Sequence, residues 1–165
     1  MSPESMYPWI LAVVVISLML APVVWMLPSP RQKQLTRLRA HALQLGVRPE
    51  LRKPPQELAH LVGSQVMRYV LERNDLSPRL RNKLLRWVIL RRIDENNSNG
   101  FSTTQAHLLS SELELMLADL PETVMMIELI GGSARIYWRE QGTEATVDTL
   151  AQTMQTLLEA QLITV

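Results

Sequence analysis

Residues 124–139 read VMMIELIGGSARIYWR, two apolar runs joined by Gly131-Gly132. A glycine pair is what a two-residue hairpin connection needs, because primed turns hold their central residues at positive φ. Closing the turn there predicts a register. Ile130 lies opposite Ser133, Leu129 opposite Ala134, Glu128 opposite Arg135 and Ile127 opposite Ile136; further out Met126 meets Tyr137 and Met125 meets Trp138. Successive strand residues point to opposite faces. Met125, Ile127, Leu129, Ala134, Ile136 and Trp138 therefore form one wholly apolar face. The other face carries Glu128 and Arg135 as a cross-strand ion pair, worth about 0.2–1 kcal/mol. A slip of one residue would destroy both features.

The apolar face needs a cover, and the flanking sequence supplies it. After Gly142, Thr143 can cap a helix whose Val147, Leu150, Ala151, Met154, Leu157 and Leu158 form a stripe. Before the hairpin, Gln105 to Leu120 repeats Leu109, Leu113, Met116, Leu117 and Leu120 at helical spacing, and Pro121 stops it. Asp94–Thr104, DENNSNGFSTT, reads as a polar loop with an Asn-Gly turn signal. The expected fold is α+β: a small domain with a mainly antiparallel sheet and helices on one side.

Towards the N-terminus, Ser29-Pro30-Arg31-Gln32 reads as a helix start, with Ser as N-cap, Pro at the first position and Gln completing a capping box. Leu35, Leu38, Ala42 and Leu45 follow at helical spacing, and Gly46 is placed to terminate. Val47–Arg52 is a short strand candidate ending at Lys53-Pro54-Pro55. From Gln56 to Arg92 periodicity leaves two readings open. Leu58, Leu61, Val62, Val66, Tyr69 and Val70 fit a helix, and Ser77-Pro78 looks like another helix start; yet Val66–Leu71 and Arg86–Ile93 have strand-like content.

Tyr7–Leu27, YPWILAVVVISLMLAPVVWML, contains no charged residue. A helix needs roughly 20 mostly apolar residues to cross the hydrocarbon of a bilayer. Trp9 and Trp25 stand near the two ends with Tyr7 beside the first, the interfacial positions that amphipathic rings favour. Pro22 inside the stretch is tolerated better in lipid than in water. A signal peptide would want a basic n-region and a small-x-small cleavage site, whereas Glu4 is the only charge before the run. A buried globular helix would be shorter and carry a polar stripe, and Ser17 is the only polar side chain between Trp9 and Leu27. The expectation is an N-terminal transmembrane helix. Arg31, Lys33, Arg37 and Arg39 follow it, with no Lys or Arg before it, so the positive-inside rule places the N-terminus outside and the rest in the cytoplasm. The predicted organisation is a tail and anchor over 1–28, a basic juxtamembrane helix over 29–46 and a cytoplasmic α+β domain over 47–165.

The 165 residues include no cysteine, which excludes disulfides, thiolate zinc sites and cysteine nucleophiles. The net charge of +1 hides an asymmetry: Arg31–Arg92 holds fifteen Lys and Arg against four acids, a net of +11, and Ile93–Val165 holds two against eleven, a net of −9. Either the two halves compensate each other by packing together, or the basic half faces anionic lipid headgroups, where each basic residue is worth about 1 kcal/mol. Arg31, Lys33, Arg37 and Arg39 are the candidate membrane-surface contacts; Tyr7, Trp9 and Trp25 are the candidate interface anchors.

Nothing in the sequence assembles chemistry. His41, His60 and His107 are scattered, without the clustered spacing a zinc site needs. Gly131-Gly132 is a turn and not a phosphate cradle, and neither a nucleotide-binding glycine loop nor a nucleophile elbow occurs. Glu128 and Glu140 sit at opposite ends of the hairpin, and Glu128 has Arg135. The sequence predicts no enzyme, no cofactor, no metal and no small-molecule substrate. Arg79, Arg81, Lys83, Arg86, Arg91 and Arg92 lie near Trp87 and Tyr69, a mixture that can hold a single strand. No nucleic-acid motif accompanies them, and the overall pI of about 8.2 is modest.

The carboxy-terminal run LPETVMMIELIGGSARIYWREQGTEATVDTLAQTM and the segment PSPRQKQLTRLRAHALQLGV resemble a loosely related group of uncharacterised short bacterial single-pass membrane proteins. Some of these are named after a small preprotein-translocase auxiliary subunit. The similarity is carried by Leu120-Pro121, Tyr137-Trp138-Arg139-Glu140, Gly142 and the juxtamembrane helix, and the middle of the chain departs from it. It implies a bacterial inner membrane and strands near 66–72 and 86–93, and it brings no catalytic residues. The function expected is that of an accessory or assembly subunit, whose partners are the lipid bilayer and another membrane protein or complex. The alternative is an anionic-lipid or nucleic-acid binding module using residues 31–92.

Overall fold

The computed structural model describes residues 7–25, 29–92, 100–103 and 110–163, with side chains for all of these except 7, 8, 21–25 and 92. The chain divides into two compact units, Met1–Gln34 and Leu35–Val165.

The first unit contains helix α1 (Tyr7–Trp25) and the start of α2 (Pro30–Gln44). Every described side chain of α1, Trp9 to Leu20, is exposed. No helix is long and apolar enough to cross a membrane among the described residues. The α2 start is the expected capping box. The Ser29 amide donates to Gln32 Oε1 at 2.9 Å, and the Gln32 amide donates back to Ser29 Oγ at 3.2 Å. Its end is a Schellman motif: Val47 N–H bonds Ala42 O, Gly46 N–H bonds Leu43 O, and Gly46 takes φ +77°.

The second unit is an α+β domain on a six-stranded, wholly antiparallel sheet of order β1-β2-β6-β5-β3-β4. The strands are β1 (Arg48–Arg52), β2 (Val66–Glu72), β3 (Trp87–Arg92), β4 (Gly100–Thr103), β5 (Val124–Ile130) and β6 (Ser133–Trp138). The ambiguous middle resolves into strands at the two places the resemblance implied. Only the four-residue helix α3 (Pro78–Arg81), capped by Ser77, separates them. The expected loop 94–104 is corrected at its end, because Gly100–Thr103 pairs with β3 as an edge strand; residues 93–99 lie outside the described chain. Helix α4 covers Ser111–Ala118 with Ser110 as N-cap, shorter than the predicted 105–120, of which 105–109 also lie outside.

The β5–β6 hairpin closes on Gly131 (φ +56°) and Gly132 (φ +78°) in the predicted register from Ile130↔Ser133 to Met126↔Tyr137. Beyond that point the prediction fails. Trp138 pairs with Val124 and not with Met125, because one extra residue is accommodated as a bulge. Val124 then joins Trp138 in the main core, and Met125 turns to the other face beside Met126.

The main core lies between the sheet and one layer of helices: α2, α4 and α5 (Glu144–Ile163). All six residues of the predicted α5 stripe are buried. Each such side chain contributes about 1.5–3 kcal/mol by leaving water, against the entropy of ordering it. Leu38 and Ala42 belong to this core, so from Leu35 onward α2 is part of the domain.

Candidate functional site

Among the described residues, the apolar cluster on the opposite face of the sheet includes no α-helix. Its apolar centre is Val66, Val88, Met125, Met126 and Tyr137, and it is covered by a strap, residues 53–65, that joins β1 to β2. Lys53-Pro54-Pro55 ends β1, since proline has no amide for the ladder. Gln56–Leu58 then forms a 3-10 turn that extends through Leu61 and Val62 amides bonding Leu58 O. That turn aims Leu58, 0 % exposed, and Val62 into the cluster.

Around this apolar centre stands a network of arginines and carboxylates that sequence reasoning saw only in part. Glu128 has the predicted contact with Arg135, at 3.2 Å. The closer partner is Arg86, whose Nε donates to Glu128 Oε1 at 2.8 Å and whose Nη2 lies 2.7 Å away. Tyr137 OH donates to the same carboxylate at 3.4 Å. Arg86 also reaches Glu57 on the strap at 3.4 Å. Beside them Arg68 donates two bonds to Glu50, and this guanidinium holds the Glu50 carboxyl below the usual carboxylate range. Burial pushes the Tyr137 phenol up. A buried carboxylate is tolerated only with this degree of pairing. The arrangement pairs Glu50, Glu57 and Glu128 each with at least one guanidinium.

On the helix side, Arg39 does not lie free at the surface as a headgroup contact would. Its Nε and Nη2 grip Glu140 at 2.8 and 2.6 Å, and Tyr69 OH donates to Glu140 Oε1 at 3.0 Å. Glu140 sits at φ +51°, a conformation that costs a non-glycine residue about 1–3 kcal/mol. Tyr69 stacks edge-to-face on Trp138 with centroids 5.3 Å apart, and burial, followed by the Glu140 charge, pushes its phenol up. Nothing in the residue spacing signals this pair, 101 positions apart in the chain. Next to it, His41 Nε2 lies 2.7 Å from Asp148 Oδ1. Together with Arg86–Glu128, these pairs join the basic half to the acidic half, so part of the charge asymmetry is internal compensation.

Arg31, Lys33 and Arg37 are exposed and make no ion pair among the described residues. Trp9 is exposed as well; the side chains of Tyr7 and Trp25 lie outside the described set, as does His107. His60 is exposed, and no group of three or more His, Asp or Glu that could hold a metal occurs among the described residues. No protein-family model, no curated protein and no solved structure matches this chain.

Proposed function

We infer that this chain is a single-pass protein of a bacterial inner membrane, N-terminus outside, acting as an accessory or assembly subunit through protein contacts of its cytoplasmic α+β domain. The observation that carries the reading is the uncharged stretch Tyr7–Leu27 followed at once by Arg31, Lys33, Arg37 and Arg39. The exposed apolar side chains of α1 support it, since lipid is the solvent in which they cost nothing. The exposed charges of Arg31, Lys33 and Arg37 suit anionic headgroups, while Arg39 is engaged with Glu140. The resemblance to short bacterial anchored proteins points the same way. A small domain carrying binding groups but no reacting constellation serves such a subunit.

In-cell crosslinking followed by mass spectrometry is expected to recover another membrane protein as a repeated neighbour. A reporter fused at Val165 that is active only in the periplasm would overturn the orientation. Recovery of the intact chain in the supernatant after ultracentrifugation would overturn the anchor. If headgroup contact is electrostatic, flotation with anionic vesicles weakens steadily as salt rises; a salt-independent flotation assigns the contact to α1 alone.

A further inference from the structure

The connection from β2 to β3, Arg73–Arg86, carries four arginines and a lysine against one acid, Asp75. Three of the arginines are engaged by the fold. Arg73 pairs with Asp75 at 2.6 Å, Arg81 donates to the Arg73 carbonyl, and Arg86 is held by Glu128. Arg79 and Lys83 are exposed and make no ion pair among the described residues. They share one helical run, because Ser77 caps α3 and the Lys83 and Leu84 amides both bond Leu80 O, carrying the turn past Arg81. Residues four apart stand on the same side of such a run. Its other side is fastened to the domain: Leu84 is buried, and it and Leu76 close over Gly132 at the hairpin turn. Leu85 then turns outward, 57 % exposed.

What this surface fits is narrowed by what it lacks. A single nucleic-acid strand stacks its bases on exposed aromatic rings, yet the two aromatics nearest in sequence, Trp87 and Tyr69, are buried in the main core. Cations beside an exposed leucine suit the boundary between headgroup and acyl chain, where basic groups meet phosphate and the apolar side chain leaves water. The connection also lies at the end of α2. Leu43 and Gly46 line one shallow depression with Arg48, Glu72 and Asn74. A helix lying along headgroups through exposed Arg37 would bring this end of the domain to the same surface. We propose that Arg79, Lys83 and Leu85 form a second contact of the chain with anionic lipid. Two cations and one leucine would hold a free protein weakly. In a chain already anchored, headgroups stand at high effective concentration, and a weak contact suffices to keep the domain against the bilayer. The inference rests on the membrane reading above and adds to it the side of the domain that meets the lipid.

The chain has no cysteine, so Asn82→Cys, at an exposed position beside Lys83, takes a single fluorescent label. The labelled full chain is reconstituted in vesicles of phosphatidylcholine, alone or mixed with phosphatidylglycerol, that contain a lipid with a quencher on its headgroup. Quenching is expected to be at least about threefold stronger in the mixed vesicles and to fall as salt rises. Arg79→Gln with Lys83→Gln should abolish that difference, and Leu85→Ser should reduce it. A label placed instead by Gln155→Cys, exposed on α5, should show no such difference. Equal quenching in both kinds of vesicle, equal quenching at the two labels, or a difference that survives the double substitution overturns the proposal. So does a salt-sensitive affinity for a single-stranded oligonucleotide or an acidic peptide that the double substitution removes while the lipid signal is absent. Should the double variant lose its native near-ultraviolet tryptophan spectrum, the lipid and salt series on the Asn82→Cys chain decides alone. Resistance to alkaline extraction from the vesicles reports the anchor separately, so a lost anchor and a missing second contact are distinct results.

Discussion

At the scale of single residues, Glu140 shows most directly how chemistry overrides local preference. Its backbone stands at φ +51°, where glycine would be relaxed, yet the position holds a carboxylate that binds Arg39 and Tyr69. Glu140→Ala loses the carboxylate and keeps the strain, and should cost about 2 kcal/mol, the scale of a hydrogen-bonded charge. Glu140→Gly loses the same bonds but relieves the backbone, so it should be less destabilising than Ala by roughly 1 kcal/mol. Urea denaturation of both variants checks the pair; equal losses would mean that the conformation carries no strain. Arg91 makes a comparable point. Its guanidinium donates to the carbonyls of Leu120, Pro121 and Val124 and lies 4.5 Å above the Phe101 ring. Burial lowers its pKa. The sequence groups it with basic residues beside aromatics; in the fold it fastens the turn that follows α4.

At the scale of elements, the hairpin and α5 behave as local sequence dictates, and the two turn glycines separate conformation from space. Gly131 has nothing near a would-be Cβ, whereas a Cβ on Gly132 would fall 2.5 Å from Leu76 Cδ1. Asn tolerates the left-handed region and is favoured first in a type I′ turn. Gly131→Asn should therefore change stability by less than about 0.5 kcal/mol. Gly132→Asn should cost a few tenths to about 1 kcal/mol more, because the end of the half-buried Leu76 side chain must move. Thermal melts compare them, and equal melting temperatures would contradict the crowding at Leu76. Cap residues were legible for the same local reason: Ser29, Ser77 and the terminator Gly46 act within a few positions of themselves. The Thr143 cap differs in detail, since its amide donates to Thr146 Oγ1 at 3.1 Å. The bulge at Met125 was not legible, because an alternating apolar run reads the same with or without one extra residue.

At the scale of the molecule, the ion pairs make stability depend on pH in a stated direction. The Glu50 carboxyl is lowered first by Arg68, and exposed Asp75 is lowered by Arg73. A depressed carboxylate stabilises the fold above its unfolded value, 4.5 for Glu50, and that contribution disappears as pH falls through the folded value. The denaturation midpoint should hold near neutrality and decline as pH drops below about 4.5. Glu50→Gln should flatten that decline while lowering the neutral plateau; an unchanged acid limb would remove Glu50 from the account. Tyr69 and Tyr137 act with the opposite sign. Their phenols are raised by burial, so what they contribute is complete below the ordinary value of 10.0 and is lost as pH climbs through the folded one.

Sequence by itself determined what is local or periodic. That includes the glycine turn and its first five paired positions, the α5 stripe, the capping box of Ser29 and Gln32, and the α+β class that follows from an apolar sheet face needing a helical cover. Tertiary structure alone decided which long-range partners each charge meets: Arg39 with Glu140, Arg86 with Glu128, and the strap with the second sheet face. It also decided that Trp87–Arg92 and Val66–Glu72 are strands, since a short apolar run takes whichever form its neighbours complete. The physical reason is one of range. Turn geometry and side-chain alternation are set within a few bonds, whereas an ion pair between residues 101 positions apart exists only once the sheet has brought both ends together.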